Sequence, residues 1–202
     1  QHAYTELLQS PKVSGKVGLM SHFACAADKN HPLNVLQMQR FSQLRTKMSG
    51  PSSFCNSAGL LHFPDMQGDV VRPGLALYGV SPVHGKYANE FDLKAVMTLR
   101  SAVIAIRDVR QGESIGYNAT FVCHKPMRIA VVACGYGDGY PQMAPAGTPV
   151  IINKHRCRLV GRVSMDMMSV DITDHPDINL GSEATLWGEE LPVEEVAQST
   201  AR

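Results

Sequence analysis

The chain has 202 residues, of which 44% are hydrophobic and 18% charged, and its formal net charge is +1. This composition is typical of one large or two small globular domains and excludes a disordered chain. The even balance of charge argues against a nucleic-acid-binding protein, and no apolar run reaches the ~18 residues of a membrane span. Since no signal peptide leads the sequence, we expect a cytoplasmic protein.

The cysteines are odd in number, widely spaced and free of any CxxC pair. This pattern argues against a disulfide framework and against a structural zinc site, which needs about four ligands. We therefore expect no metal, and we expect buried or half-buried free thiols in a reducing compartment. The five residues are Cys25, Cys55, Cys123, Cys134 and Cys157.

The first ninety residues alternate short apolar runs with helical patterns. The run 17–24 predicts a buried parallel strand that ends at a polar turn. Residues 34–48 carry apolar side chains three or four positions apart, which predicts an amphipathic helix that begins after Pro32. A further apolar run occupies 75–80. Strands that alternate with helices in this way predict βα units.

The polar, turn-rich segment 81–92 predicts a domain boundary. We therefore expect a first domain over residues 1–90 and a second over residues 91–202. Beyond the boundary, apolar runs are separated by Gly, Pro and Asn turns, which predicts an all-β domain with one terminal helix opened by Pro192. The predicted β-rich runs are 93–106, 127–133, 150–152, 158–163, 168–172 and 184–187.

Both ends of the sequence suggest a fragment. The chain starts with Gln1 rather than Met, and the helical pattern after Pro192 reaches no stop signal. We therefore expect that a longer protein contains these residues.

Six short segments combine glycines with polar or aromatic residues, and each has an ordinary structural explanation when taken alone. His22 is compatible with a satisfied core histidine, Arg72 with a surface arginine, and Asn56 with a helix cap. The Gly/Asp/Tyr segment is compatible with a tight turn, and it lacks the pattern of a nucleotide-binding loop. The segments are SHFA (21–24), NSAG (56–59), VRPGLALYG (71–79), GYNAT (116–120), GYGDGYP (135–141) and GRVSMDM (161–167).

Taken together, in this order and at these distances, the segments resemble the alanine racemase family from about residue 17 to the last residue. The resemblance implies an α/β plus β fold, with the C-terminal part of a TIM-type (β/α)8 barrel followed by a mostly β C-terminal domain. It also implies a homodimer with shared active sites. The most specific stretches are VRPGLALYGVSP, IAVVACGYGDGYP, APAGTPV, LVGRVSMDMMSVDIT and LWGEELPVEEVA.

The activity that the resemblance implies is the interconversion of L-alanine and D-alanine, which supplies D-alanine for peptidoglycan. The cofactor would be pyridoxal 5′-phosphate, and a lysine and a tyrosine would be the two bases. Ser57, Gly74 and Leu75 match the family's phosphate-binding positions, and we count Asn56 among the cofactor-binding residues. A phosphate dianion needs several preorganised donors, and glycine lets the backbone approach it closely.

Arg72 matches the family arginine at the pyridine nitrogen. A guanidinium does not give up its proton, so it leaves this nitrogen unprotonated and should suppress side reactions such as transamination. Tyr117 matches the catalytic tyrosine, supplied by a second subunit, and His22 matches the histidine that links it to Arg72. An ordinary tyrosine is a poor base at neutral pH and needs such a neighbour.

The remaining matches concern the substrate. Met165 corresponds to a position whose backbone N–H meets the substrate carboxylate, and Tyr136 to a tyrosine at the entrance of the site. Arg162 and Asp166 lie in the same entrance region by resemblance. Gln142 stands where the family often has a basic residue.

The largest departure from the family is the missing lysine that holds the cofactor. The eight lysines of this sequence stand in other contexts. By resemblance the early barrel strands are absent, and the second domain is incomplete because the family's last helix and strands, with a further phosphate-binding tyrosine, are absent too. We therefore expect that the 202 residues alone do not racemise alanine. Two alternatives remain open: a racemase of the same fold for serine, lysine or a broad range of amino acids, and a truncated, non-catalytic module that binds a partner subunit. The motifs at 71–82 and 135–141 disfavour a decarboxylase of the same fold.

Overall fold

The computed structural model describes residues 2–200 and divides the chain into two compact units, 1–93 and 94–202. The division follows Leu93, close to the boundary that the sequence predicts after Glu90. Each unit has a hydrophobic core of its own.

Unit 1 contains a β-α-β segment. Strand β1 (Leu19–Met20) is followed by helix α2 (Pro32–Arg45) and strand β2 (Ser52–Ser53), and the two strands pair in parallel. This arrangement confirms the predicted βα organisation. The other elements of the unit are α1 (His2–Gln9), α3 (Ser57–His62) and the 3₁₀ turns Pro64–Met66, Leu75–Tyr78 and Ala88–Phe91.

Helix α2 covers Pro32–Arg45, so it begins two residues before the predicted span 34–48 and ends three residues earlier, with the side chain of His31 as its N-cap. The buried face of the helix differs from the predicted stripe. Phe41 is buried, whereas Val35 and Leu44 are exposed. The reason is that the helix packs through Phe41, whose ring stacks on Phe54 at 4.4 Å, and the other two positions lie off that contact.

The prediction that the run 17–24 forms a buried strand was wrong about burial. The strand at 17–24 is short and mostly exposed, with Met20 at 69% exposure. Within the described residues, it belongs to a sheet of two strands, β1 and β2. The apolar run at 75–80 forms the 3₁₀ turn Leu75–Tyr78, and Leu77 and Tyr78 are exposed.

Stacked aromatic rings form the core of unit 1. Phe23 and Phe54 lie 4.0 Å apart between ring centroids, and Phe63 stacks on Phe23 at 5.1 Å. Phe23 follows β1 and Phe54 follows β2. The core therefore holds the segments that continue from the C-terminal ends of both strands.

Unit 2 is a closed barrel of six antiparallel strands in the order β10-β3-β6-β9-β8-β7. This confirms the predicted β-rich domain, although the sequence did not predict the closure. A separate hairpin joins β4 (Ser114–Ile115) and β5 (Phe121–Val122), and α4 (Val193–Thr200) follows Pro192. The barrel strands are β3 (Leu99–Val109), β6 (Met127–Val132), β7 (Pro149–Ile152), β8 (His155–Val160), β9 (Met168–Asp171) and β10 (Glu183–Trp187).

The barrel interior is filled by fully buried aliphatic side chains such as Leu159, Val170 and Leu186. Closing the sheet also leaves none of the six strands with an unpaired edge. The ring of Tyr140 stacks on Trp187 at 5.9 Å at the border of this core.

All five cysteines are free, as predicted; four are buried and Cys25 is half-buried. Burial raises the pKa of the Cys157 thiol to about 11, which keeps it in its neutral form. Within residues 2–200, no helix is long and apolar enough to cross a membrane. The same part of the chain contains no cluster of three or more His, Cys, Asp or Glu side chains suited to a metal ion.

Candidate functional site

Two side chains of unit 1, those of Arg72 and Asn56, contact the imidazole of His22. The Nη2 atom of Arg72 lies 3.2 Å from His22 Nδ1, and the Nδ2 atom of Asn56 lies 3.1 Å from His22 Nε2. The guanidinium of Arg72 also donates to the hydroxyl of Ser53 and to the carbonyl of Ser21. Arg72 is half-buried, and His22 is exposed.

The parallel pairing of β1 and β2 explains why these residues meet. Parallel strands end at the same edge of a sheet, and side chains that follow them lie close together there. His22 follows β1, and Asn56 follows β2. Arg72 joins the same edge because its backbone N–H donates to the carbonyl of Cys55 at 3.0 Å.

The imidazole of His22 has a donor at each of its two ring nitrogens. The guanidinium of Arg72 only donates, so it faces Nδ1 as a donor. The amide of Asn56 is fixed in orientation, since its Oδ1 accepts from the Gly59 N–H at 2.9 Å. Its Nδ2 therefore faces Nε2 as a second donor. Because an uncharged imidazole accepts at one nitrogen only, each tautomer accepts from one of these two donors.

A second group of donors surrounds Ser57, which is buried at the first position of α3. Its Oγ accepts from the backbone N–H of Gly74 at 2.9 Å and from that of Ala76 at 3.2 Å. Both lone pairs are then used, and the hydroxyl hydrogen is left to donate. The intervening Leu75 N–H makes no hydrogen bond to any acceptor within residues 2–200. Donors grouped in this way suit an oxyanion such as a phosphate.

In unit 2, Tyr117 follows a glycine with left-handed backbone. Gly116 has φ 78°, and the Tyr117 side chain is 66% exposed. A Cβ atom on Gly116 would lie 3.1 Å from the backbone nitrogen of Arg162. On the opposite side of this contact, a Cβ atom on Gly161 would lie 2.8 Å from the carbonyl oxygen of Ile115. Because both positions are glycine, the backbone of the turn that carries Tyr117 can pack directly against the segment 161–167.

The segment 161–167 also holds the turn of Tyr136. The N–H of Tyr136 donates to the Ser164 carbonyl at 3.0 Å, and the N–H of Gly137 donates to the Met165 carbonyl at 2.8 Å. Asp138 closes the turn by accepting from the Gly135 N–H at 2.9 Å. Unit 2 thus brings Tyr117, Tyr136 and Met165 onto one supporting segment.

The structure places the predicted site residues in two groups. One group lies in unit 1 and the other in unit 2. The unit 1 group is His22, Asn56, Ser57, Arg72, Gly74 and Leu75; the unit 2 group is Tyr117, Tyr136, Arg162, Met165 and Asp166. The N–H of Met165 meets no acceptor within residues 2–200 and is free to bind one.

Sequence reasoning missed two residues that shape the unit 1 group. Ser53 accepts from Arg72, and Gln37 bonds to the backbone on either side of Phe23. In unit 2, the Gly/Asp/Tyr segment forms the tight turn with which its sequence is compatible, and Asp138 closes it. Nothing local in the sequence marked Gln37.

Comparison with known proteins gives the family of both units. The family model for the N-terminal domain of alanine racemase matches residues 1–82, and the model for its C-terminal domain matches residues 96–202. The alanine racemase of Shewanella amazonensis is 47% identical over 195 residues, which are 96% of this chain and 54% of that protein.

Solved structures agree with the family models. The biosynthetic alanine racemase of Pseudomonas aeruginosa has a TM-score of 0.94 and 43% identity, covering 99% of this chain and 56% of its own. An alanine racemase of Bartonella henselae with covalently bound pyridoxal phosphate has a TM-score of 0.84 and 33% identity, covering 100% of this chain and 56% of its own. The chain spans about half the length of the relatives it matches. Since the two family models together match nearly all of it, the chain belongs to the alanine racemase family.

Proposed function

We propose that this chain is part of a pyridoxal-phosphate-dependent enzyme that interconverts L-alanine and D-alanine. The observation that carries the proposal is the joining of Arg72 to His22 at the ends of two parallel strands. The donors grouped around Ser57, in the segment that follows β2, also support the proposal. The similar proteins named above are alanine racemases, and one of them holds covalently bound pyridoxal phosphate.

The residues around Ser57 fit the phosphate end of this cofactor. The Ser57 hydroxyl and the Leu75 N–H would donate to the phosphate oxygens, and the Gly74 N–H, which bonds to Ser57 Oγ in this structure, would turn to them on binding. A Cβ atom on Gly74 would meet nothing within 4 Å, so the backbone there is open to a ligand. When bound, the cofactor supplies an electron sink that acidifies the Cα–H bond of the amino acid.

Arg72 would face the pyridine nitrogen of the cofactor and donate a hydrogen bond to it. Its guanidinium is held by His22, Ser53 and Ser21, so its position is set before a ligand arrives. Because arginine keeps its proton, the ring nitrogen would remain unprotonated. Asn56 would contribute by keeping α3 capped beside Ser57.

Tyr117 would hold and move the proton on one face of the substrate Cα. We propose that in the assembled enzyme His22 accepts from Arg72 at Nδ1 and donates from Nε2 to the Tyr117 oxygen of a partner subunit, which is the link that the family resemblance implies. This arrangement makes the enzyme a homodimer with shared active sites. The Met165 N–H would bind the substrate carboxylate, and Tyr136 would line the entrance.

The second base in this family is the lysine that holds the cofactor. None of the eight lysines of this sequence stands in the corresponding motif. We propose that this lysine belongs to the half of the relatives that the chain does not span, and that the 202 residues alone are inactive. The cytoplasm is the proposed location, since free buried cysteines suit a reducing compartment.

A chimera tests the proposed reaction. The parts of the Pseudomonas aeruginosa racemase that precede and follow the matched region would be joined to this chain at the aligned positions, and D-alanine formation from L-alanine would be measured. We expect activity, and we expect Tyr117→Phe to lower kcat by about 10²–10⁴-fold because the acid–base group is lost. Tyr4→Phe is the matched control, since Tyr4 lies on α1 and bonds to Ser49.

The cofactor content of each variant shows that it is folded and loaded. An unchanged kcat in Tyr117→Phe would contradict the proposed role of this residue. A loaded chimera that dimerises but racemises no amino acid would favour the partner-binding module. A faster rate with serine than with alanine would favour the related racemase.

A further inference from the structure

We infer that Gln37 is a positioning residue for His22 and, through it, for Arg72. The inference rests on the proposed function for its importance, because His22 and Arg72 matter only if they serve the cofactor. The contacts that carry it belong wholly to unit 1 and do not depend on a ligand.

Both polar atoms of the Gln37 side chain bond to the segment that carries His22. Gln37 lies on α2, and its Oε1 accepts from the Ala24 N–H at 3.0 Å. Its Nε2 donates to the His22 carbonyl at 2.9 Å. The two bonds enclose Phe23, so a single amide group holds the peptide groups on both sides of that residue.

Within residues 2–200, the Ala24 N–H and the His22 carbonyl form hydrogen bonds with the Gln37 side chain and with no other group. Phe23 is anchored in the aromatic core, with 2% exposure. The core thus fixes Phe23, and Gln37 fixes the backbone direction on either side of it.

The backbone at His22 determines where its ring lies. The preceding Ser21 is held by its N–H bond to the Ser53 carbonyl at 3.0 Å, and its own carbonyl accepts from Arg72. With Gln37 in place, the exposed imidazole reaches Arg72 at Nδ1. Without it, the His22 carbonyl is free to turn, and the position of the ring depends on its side-chain contacts with Arg72 and Asn56 alone.

The amide group is the specific requirement. A donor and an acceptor are needed on one planar group at this distance from α2, and glutamine supplies both. A glutamate carboxylate at neutral pH accepts but does not donate, so it would keep the bond from Ala24 and lose the bond to His22. A methionine of similar length supplies neither.

The test uses nuclear magnetic resonance on the isotope-labelled 202-residue chain without ligand. In Gln37→Met, we expect the Ala24 amide to exchange about fivefold faster or more, since one hydrogen bond of ordinary strength is lost. We also expect the His22 ring nitrogen signals to shift, because the contacts of the ring with Arg72 and Asn56 change. In Gln37→Glu, we expect the Ala24 protection to persist while the His22 signals still move. Gln39→Met is the matched control, because Gln39 is an exposed glutamine on the same helix.

Unchanged His22 ring signals in both Gln37 variants would overturn the inference. So would a change in which the signals of Phe23, Phe54 and the other histidines shift together, because that result describes a general loss of structure. If Gln37→Met does not fold, the Gln37→Glu comparison decides. Because the readout needs no cofactor, a failed racemase assay and a failed Gln37 test are separate results.

Discussion

Gly161→Ala should destabilise unit 2 more than another substitution of the same kind. Gly161 has φ 70°, and an added Cβ would lie 2.8 Å from the backbone carbonyl of Ile115. Gly181 is a matched control, because it has φ 81° and its added Cβ would meet nothing within 4 Å. Both variants therefore carry the left-handed strain, and Gly161→Ala alone carries the clash.

The magnitudes follow from these two contributions. A left-handed backbone conformation costs an alanine about 1–2 kcal/mol. Alanine also lowers the conformational entropy of the unfolded chain, which stabilises the folded state by about 0.4–1 kcal/mol. Gly181→Ala should thus lower the free energy of unfolding by about 1 kcal/mol. Overpacking against backbone adds about 1–3 kcal/mol. Gly161→Ala should therefore cost about 2–4 kcal/mol and displace the turn of Tyr117.

Urea unfolding followed by tryptophan fluorescence measures this difference. The sequence has a single tryptophan, and Trp187 lies in β10, so the signal reports on unit 2 alone. If the two variants differ by less than about 0.5 kcal/mol, the range of an ordinary surface substitution, then the contact between the Tyr117 turn and the segment 161–167 is not as described.

Three further predictions concern single side chains. Burial tends to raise the pKa of Asp171, but hydrogen bonds from Thr173 and Arg158 outweigh burial and lower this pKa below its ordinary value. The ionised Asp171 carboxylate therefore stabilises the fold above about pH 4, and this stabilisation is lost as the pH falls through the pKa of the folded state. Asp171→Asn should cost about 1–3 kcal/mol at pH 7 and reduce the loss of stability in acid, as urea midpoints between pH 2 and 7 would show; equal midpoints in both proteins at pH 7 would contradict this. Burial raises the pKa of Tyr140 from 10.0 to about 12, and its hydroxyl has no hydrogen-bond partner within the described chain. Because the folded protein favours the protonated phenol, the free energy of unfolding should fall as the pH rises above 10. Tyr140→Phe should remove this fall and should leave the free energy of unfolding at pH 7 unchanged or raise it by about 1 kcal/mol. A destabilised variant would reveal a partner for the hydroxyl. In the chimera, Arg72→Glu should increase transamination relative to racemisation, and an unchanged product ratio would refute the role given to the guanidinium.

Local sequence patterns predicted the strands of unit 2 well. Alternating apolar residues and Gly, Pro or Asn turns lie within a few residues of each other, and they located strands such as Met168–Asp171 and Glu183–Trp187. The closure of the barrel was not predictable in this way. It depends on pairing β10 with both β3 and β7, which are distant in sequence.

Burial in unit 1 was harder to predict, because it depends on neighbours. The run 17–24 has the apolar composition of a buried strand, yet β1 is mostly exposed. The same limitation applies to the site. The motif residues were found through the resemblance, whereas Gln37 and Ser53 act through contacts with residues 13 to 19 positions away and leave no local pattern.

Binding of a phosphate ligand to the 202-residue chain tests most directly whether unit 1 holds the phosphate end of the cofactor. Pyridoxine 5′-phosphate is a suitable probe, since it lacks the aldehyde and needs no lysine. Calorimetric titration should show binding that Ser57→Ala weakens about tenfold or more, because a hydrogen bond to a charged group is lost, and that Tyr4→Phe leaves unchanged. Equal affinities for the unaltered chain and for Ser57→Ala would contradict the phosphate site.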